Sequence, residues 1–267
     1  MNEISLDRLC GALSYAIGIE KPQKAALPDK RLTDFIDKVF SGEKADRIFL
    51  YHPDAIAQWI DEKYSTVLKE VKNLSDISVE YSCPMPSVTP VCFATMLSGS
   101  QPEVHGIQKY EKPVLTVDTF FDALIRNGKK VAIVSEVNFS YSKIFLNRNL
   151  NYYIFENISE INAKAMELIY KDEHDCIFVY NGNYDSMMHK FGPESREALS
   201  ELRSNSYTYA TFVRALRNSY KKHNTFYGFA MDHGCHEIDK GGGSHGLYME
   251  EDINIRHYYG AIKKSQN

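Results

Sequence analysis

Seven side chains of this 267-residue chain have the types and spacing to gather cations around a nucleophile. Asp185 and His189 are four residues apart in TyrAsnGlyAsnTyrAspSerMetMetHis (180–189). On a helix they share a face, and a carboxylate and an imidazole so placed can reach one ion. The plain alternative is a surface Asp–His pair. Asp232 and His233 end the apolar run AsnThrPheTyrGlyPheAlaMet (224–231). Neighbours within a strand point to opposite faces, so both reach one ion only where the strand stops, and Gly234 permits that stop. His245 follows twelve residues after His233, behind the glycines of 241–243, which either return the chain tightly or form a flexible loop. Asp54 lies two residues past ArgIlePheLeuTyrHis (47–52), and Thr89 precedes Pro90 and an apolar helical run. Both also suit plain helix capping, with Pro90 at the first helical position after a Thr89 N-cap. A hydroxyl there lies in the positive field of the helix N-terminus, which stabilises an alkoxide and helps bind a phosphate. Three carboxylates, three imidazoles and one hydroxyl supply two sets of three or four N/O ligands, suited to two borderline metal ions.

The elements that must position these groups alternate. Strand-like runs at 47–52, 130–135, 151–155, 175–181, 224–231 and around 253–259 are separated by helix-like runs at 55–71, 90–98, 116–127, 159–170, 183–190 and 194–221. Several of the strand-like runs are almost continuously apolar, as in strands covered on both faces. The pattern predicts an α/β fold, a three-layer α/β/α sandwich with a mostly parallel central sheet, in which sites form at the carboxyl ends of strands. Residues 1–45 read as a helical segment, with helices near 3–17 and 30–40, packed on one domain spanning 1–267.

Composition narrows the function classes. At 43% hydrophobic and 25% charged, the chain is ordinary for a folded domain. A net charge of −4 argues against neutralising a nucleic-acid backbone. No run approaches the roughly 18 apolar residues of a membrane helix, and the N-terminal apolar residues are spaced like one helix face, unlike a signal-peptide core. The five cysteines are scattered, odd in number and without CxxC spacing, which predicts reduced thiols in a cytoplasmic protein.

Four ordered motifs resemble the alkaline phosphatase superfamily, in particular its type I phosphodiesterase / nucleotide pyrophosphatase branch. They are ProSerValThrPro…LeuSerGlySerGlnProGluValHisGlyIle (86–107), TyrAsp…HisLysPheGlyPro (184–193), AspHisGly (232–234) and SerHisGly (244–246). The likeness runs from about residue 46 to the C-terminus. It implies an alkaline phosphatase-like fold and two divalent metal ions, zinc in the first place, with manganese compatible with the all-N/O donors. One ion would be held by Asp185, His189 and His245. The other would be held by Asp54, Asp232, His233 and the Thr89 oxygen. Thr89 would be the nucleophile that attacks phosphorus.

The sequence departs from the branch in places. HisProAspAlaIle around Asp54 lacks the usual Asp-Gly pair. Tyr110 stands where many diesterases carry an Asn, and Lys109 beside it adds a charge that a monoester dianion would use. The short spacing from His233 to His245 replaces a long insertion. CysProMetProSer (83–87) lacks the Arg of a sulfatase motif. Lys109, Tyr110 and Tyr184 are the candidate substrate-binding residues. His105 is expected to support the turn after the nucleophile helix, and His236 to compete weakly as a ligand. The expected activity is hydrolysis of a small phosphorylated substrate, such as a nucleotide, at a diester or pyrophosphate bond. The alternatives are a phosphomonoesterase or phosphonate hydrolase using the same centre, or a metal-binding relative without turnover.

Overall fold

The computed structural model describes residues 1–239 and 241–265. Two helices come first, α1 (Arg8–Ile17) and α2 (Lys30–Phe40), followed by β1 (Arg47–Pro53), α3 (Gln58–Lys63), α4 (Lys69–Asn73) and β2 (Ile77–Ser82). Next come α5 (Thr89–Ser98), the turn α6 (Pro102–His105), α7 (Phe120–Arg126), β3 (Val131–Glu136), α8 (Ser140–Ile144), β4 (Asn151–Phe155) and α9 (Ile158–Lys171). The chain continues through β5 (Cys176–Asn181), α10 (Asn183–Phe191), α11 (Arg196–Ser219) and β6 (Thr225–Phe229). A small hairpin of β7 (His236–Ile238) and β8 (Gly242–Ser244), the turn α12 (Glu250–Ile253) and β9 (Asn254–Ile262) complete it.

The main sheet has seven strands in the order β2-β9-β6-β1-β5-β3-β4. From β6 to β4 every pairing is parallel, whereas β9 runs antiparallel to both β6 and β2. The apolar strands β5 and β6 are buried throughout, because helices cover both faces. Alternation along β1 shows the two layers. Tyr51 packs against Tyr209 and Phe212 of α11, while His52, its neighbour, packs against Phe93 of α5 and Tyr141 of α8. The expected α/β/α sandwich with a mostly parallel sheet is therefore the fold observed.

Three local expectations change. The N-terminal helix begins at Arg8 because residues before it add to the sheet edge: Leu6 N donates to Ser82 O and Ser82 N donates to Ile4 O. This covers the outer edge of β2, an edge that would otherwise be left open. The run 55–71 is not one helix: α3 ends at Lys63 and is capped by Tyr64, before SerThrVal (65–67), whose residues have poor helix propensity. Strand β2, IleSerValGluTyrSer, has only Val79 and Tyr81 buried, a half-polar pattern that reads weakly in sequence. All five cysteines are buried and unpaired. Among the described residues, no helix is long and apolar enough to cross a membrane.

Candidate metal centre

Strand β1 lies between β5 and β6, so the segments leaving the carboxyl ends of these three strands emerge side by side. Asp54 directly follows β1. Asp185 lies in the first turn of α10, just after β5. Asp232 and His233 follow β6 closely. The capping readings of Asp54 and Thr89 both fail. Helix α3 starts at Gln58 with Ala57 as its N-cap, so Asp54 caps nothing. The N-cap of α5 is Val88, which moves Thr89 into the first helical turn and leaves its hydroxyl for other partners.

The side chains converge as two adjoining sets. In the first, His233 Nε2 lies 3.4 Å from Asp54 Oδ1 and 3.3 Å from Asp232 Oδ2. The Thr89 hydroxyl meets the same Nε2 at 3.3 Å. In the second, Asp185 Oδ1 lies 3.2 Å from His189 Nε2 and 3.6 Å from His245 Nε2. Within each set, one ligand atom per residue lies within 4.8 Å of the others. The sets touch through the His233 and His245 rings, whose centroids are 4.1 Å apart.

Backbone carbonyls orient all three imidazoles. His189 Nδ1 faces Gly243 O at 3.0 Å, His233 Nδ1 faces Gly234 O at 2.9 Å, and His245 Nδ1 faces Ser87 O at 3.1 Å. A carbonyl only accepts, so each Nδ1 carries the hydrogen and each Nε2 turns a lone pair inward. The Nε2 atoms of His189 and His245 lie 3.1 Å apart, an opposition that an intervening cation resolves. Burial and the neighbouring His233 push the His245 pKa down to about 3. The Asp185 carboxylate beside it holds that of His189 up.

The carboxylates are set in a similar way. One oxygen of each is buried without a hydrogen-bond partner among the described residues: Asp54 Oδ1, Asp232 Oδ2 and Asp185 Oδ1. These are the same atoms that face the imidazoles. The second oxygen is anchored in two cases, as Tyr180 donates its hydroxyl to Asp54 Oδ2 and Ala55 N donates to Asp232 Oδ1 at 3.2 Å. Burial, with Asp232 and Asp185 nearby, pushes the Asp54 carboxyl well up; burial also raises that of Asp232. Burial raises Asp185 too, but the neighbouring His189, with His233 and His245 beyond it, outweighs that and leaves it lowered. A buried carboxylate without a partner costs several kcal/mol. Three of them beside inward-turned imidazole lone pairs form a donor set that fits divalent cations taking N and O ligands.

Within the glycine run, Gly243 is a packing device. A Cβ at Gly243 would sit 2.4 Å from Met188 Sδ, so only glycine lets β8 lie against α10 and present its carbonyl to His189. His105 supports the turn after α5, donating from Nε2 to Thr95 Oγ1 at 3.0 Å and accepting from Ile107 N at 3.2 Å. His236 is drawn away to Asp252 Oδ1, at 2.7 Å, and joins neither set.

The expected substrate contacts fare differently. Tyr184 has no exposed surface, and its hydroxyl donates to Pro193 O at 3.2 Å. It packs in the core and offers a ligand nothing to touch, which corrects its placement at a pocket. Lys109 and Tyr110 are exposed on the segment after α6, and Lys109 pairs with Glu111 at 3.5 Å. Neither hydrogen-bonds to a member of the two sets. Sequence reasoning missed Tyr180 and its bond to Asp54. Its place in β5, in register with His52, was the available signal. A cavity of about 560 Å3 lies elsewhere, lined in part by Asp118, Asp122, Arg126 and Arg148, whose charges already pair with one another.

Murine ectonucleotide pyrophosphatase / phosphodiesterase 5 superposes with a TM-score of 0.59 at 15% identity, over 73% of this chain and 58% of that one. An inactive variant of the same murine protein, in complex with AMP, gives 0.60 at 15% identity over 73% and 59%. Phosphonoacetate hydrolase from Sinorhizobium meliloti, in complex with phosphonoformate, gives 0.51 at 15% identity over 71% and 56%. The fold is alkaline phosphatase-like. This chain spans less than two thirds of the length of each of these structures, from 56% to 59%. No family profile and no curated protein matches the sequence.

Proposed function

We propose that the protein is a metal-dependent hydrolase of phosphate esters, with Thr89 as nucleophile and a small phosphodiester or pyrophosphate as substrate. The observation that carries this reading is the Thr89 hydroxyl held 3.3 Å from His233 Nε2, beside two sets of ligands whose unpartnered carboxylate oxygens face inward. Asp185, His189 and His245 would hold one divalent cation, and Asp54, Asp232, His233 and Thr89 Oγ1 the other, zinc or manganese. When bound, such cations neutralise phosphate charge and the charge on attacking and departing oxygens.

The chain's own residues supply the rest. Thr89 sits in the first turn of the ten-residue helix α5, whose N-terminal field favours its deprotonated oxygen. That oxygen bonds to phosphorus as the bond to the leaving oxygen breaks, giving a covalent threonine intermediate that water later releases. The three backbone carbonyls keep the imidazoles in the tautomer the site needs. Lys109 and Tyr110, exposed near α6, are assigned to the substrate's non-bridging oxygens. AMP bound to the murine structural neighbour supports a nucleotide as one substrate class.

Rates on nitrophenyl mono- and diesters with added zinc or manganese test this reading. Thr89→Ala should abolish turnover while metal content stays near that of wild type. Full activity in Thr89→Ala would overturn the nucleophile assignment. The second reading, a phosphonate or phosphomonoester hydrolase with the same centre, is favoured by the likeness to phosphonoacetate hydrolase. A monoester or phosphonate turned over orders of magnitude faster than the diester would select it.

A further inference from the structure

Ligands of both sets lie on irregular segments, and one buried carboxylate touches both segments. Asp252, in α12, has no exposed surface. Its Oδ2 accepts from Leu247 N at 2.8 Å, two residues beyond His245. Its backbone carbonyl accepts from Gly234 N at 2.8 Å, the residue after His233. Its Oδ1 takes the remaining bond, from His236 Nδ1 at 2.7 Å.

The two segments depend on Asp252 unequally. The 232–236 segment has other anchors: Cys83 Sγ donates to Asp232 O at 3.0 Å and Trp59 Nε1 donates to Cys235 O at 2.8 Å. The segment after His245 has few. Leu247 and Tyr248 are 55% and 74% exposed, so their side chains do not hold it, and Met249 N returns only to Leu247 O within the same turn. The His245 ring itself is tied by its Nδ1 bond to Ser87 O.

We infer that Asp252 is a positioning residue for the Asp185–His189–His245 set: through the Leu247 amide it fixes the loop that carries His245 and locks it to the segment bearing Asp232 and His233. This inference rests on the metal reading above. Outer partners of metal ligands typically change metal affinity about 10- to 100-fold when removed.

The test is zinc titration of the whole protein against a competing chelator, read as two dissociation constants, with circular dichroism as the check on folding. Asp252→Ala should weaken one zinc site about 10- to 100-fold and leave the other unchanged. Leu247→Pro, which deletes the donating N–H at an exposed residue and leaves Asp252 in place, should weaken the same site. Asp252→Asn should restore affinity, since its amide oxygen can accept from Leu247 N while its NH2 donates to the other tautomer of His236. Equal weakening of both sites, two unchanged sites in the Ala and Pro variants, or an Asn variant as impaired as the Ala variant would overturn the inference. Wild-type protein that takes up no zinc would overturn the metal centre, and this inference with it.

Discussion

Replacing Tyr180 by Phe would remove one oxygen atom from the interior and leave the surrounding packing in place. The ring of Tyr180 stays among Phe93, Phe139 and Tyr141, at centroid distances of 5.8, 5.5 and 5.7 Å. What disappears is the hydroxyl that donates to Asp54 Oδ2. A hydrogen bond to a charged group is worth ~1.5–3 kcal/mol, so the site formed by Asp54, Asp232 and His233 should bind zinc roughly 10- to 100-fold more weakly. Two effects act in the same direction. The carboxylate loses the partner that fixes its rotamer, and its pKa, already raised by burial and by Asp232 and Asp185, rises further because Tyr180 no longer lowers it. The second set has no contact with this hydroxyl and should keep its affinity. Chelator competition on wild type and Tyr180→Phe, at one pH and with melting curves as a control, measures both sites. Unchanged affinity at both, or an equal fall at both, would refute the view that Tyr180 orients a metal-ligating Asp54.

The remaining predictions concern packing, protons and the nucleophile. Gly243→Ala would drive a methyl group against Met188 Sδ and the Met188 carbonyl, at 2.4 and 2.8 Å. Overpacking of this kind typically destabilises by ~1–3 kcal/mol, and it should also weaken the His189 site by displacing the Gly243 carbonyl; an unaltered melting temperature would sink the close-packing argument. Metal binding should release protons, from Asp54 and Asp232 in one set and His189 in the other, because their raised pKa values keep them more protonated in the metal-free protein than such groups usually are. Zinc affinity should therefore fall as pH is lowered, and calorimetry in buffers of different ionisation enthalpy counts the protons; affinity independent of pH would contradict the shifts. Thr89→Ala, finally, should separate the two roles of the centre, losing turnover while binding zinc at both sites.

Much of the candidate site was legible because its members sit where sequence patterns change. Asp54, Asp185, Asp232 and His233 each follow an apolar strand, and a parallel sheet exposes such positions on one rim. The helix-like run 183–190 carries Asp185 and His189, whose four-residue spacing then puts them on one face. Other features left no local trace. Strand β2 is short and half polar, and it exists because β9 pairs with it across the chain. The break between α3 and α4 reflects a brief run of poor helix formers within an otherwise helical apolar pattern. Tyr184, expected at the substrate, is buried in the core, a placement that packing decides and residue type does not.

The sequence by itself determined the α/β alternation, the kinds of donor side chain available and the order in which they occur, since periodicity and residue type are local properties. Only the tertiary structure decided that Asp54 and Thr89 are not helix caps, which nitrogen of each imidazole faces inward, that Tyr180 bonds to Asp54, and that Asp252 bonds to the segments after His233 and His245. Those outcomes depend on pairings between residues far apart in the chain, such as Tyr180 with Asp54 and Asp252 with Leu247 and Gly234. A hydrogen bond between distant segments has no periodicity to betray it, because its partners are chosen by the packing of the sheet and its layers.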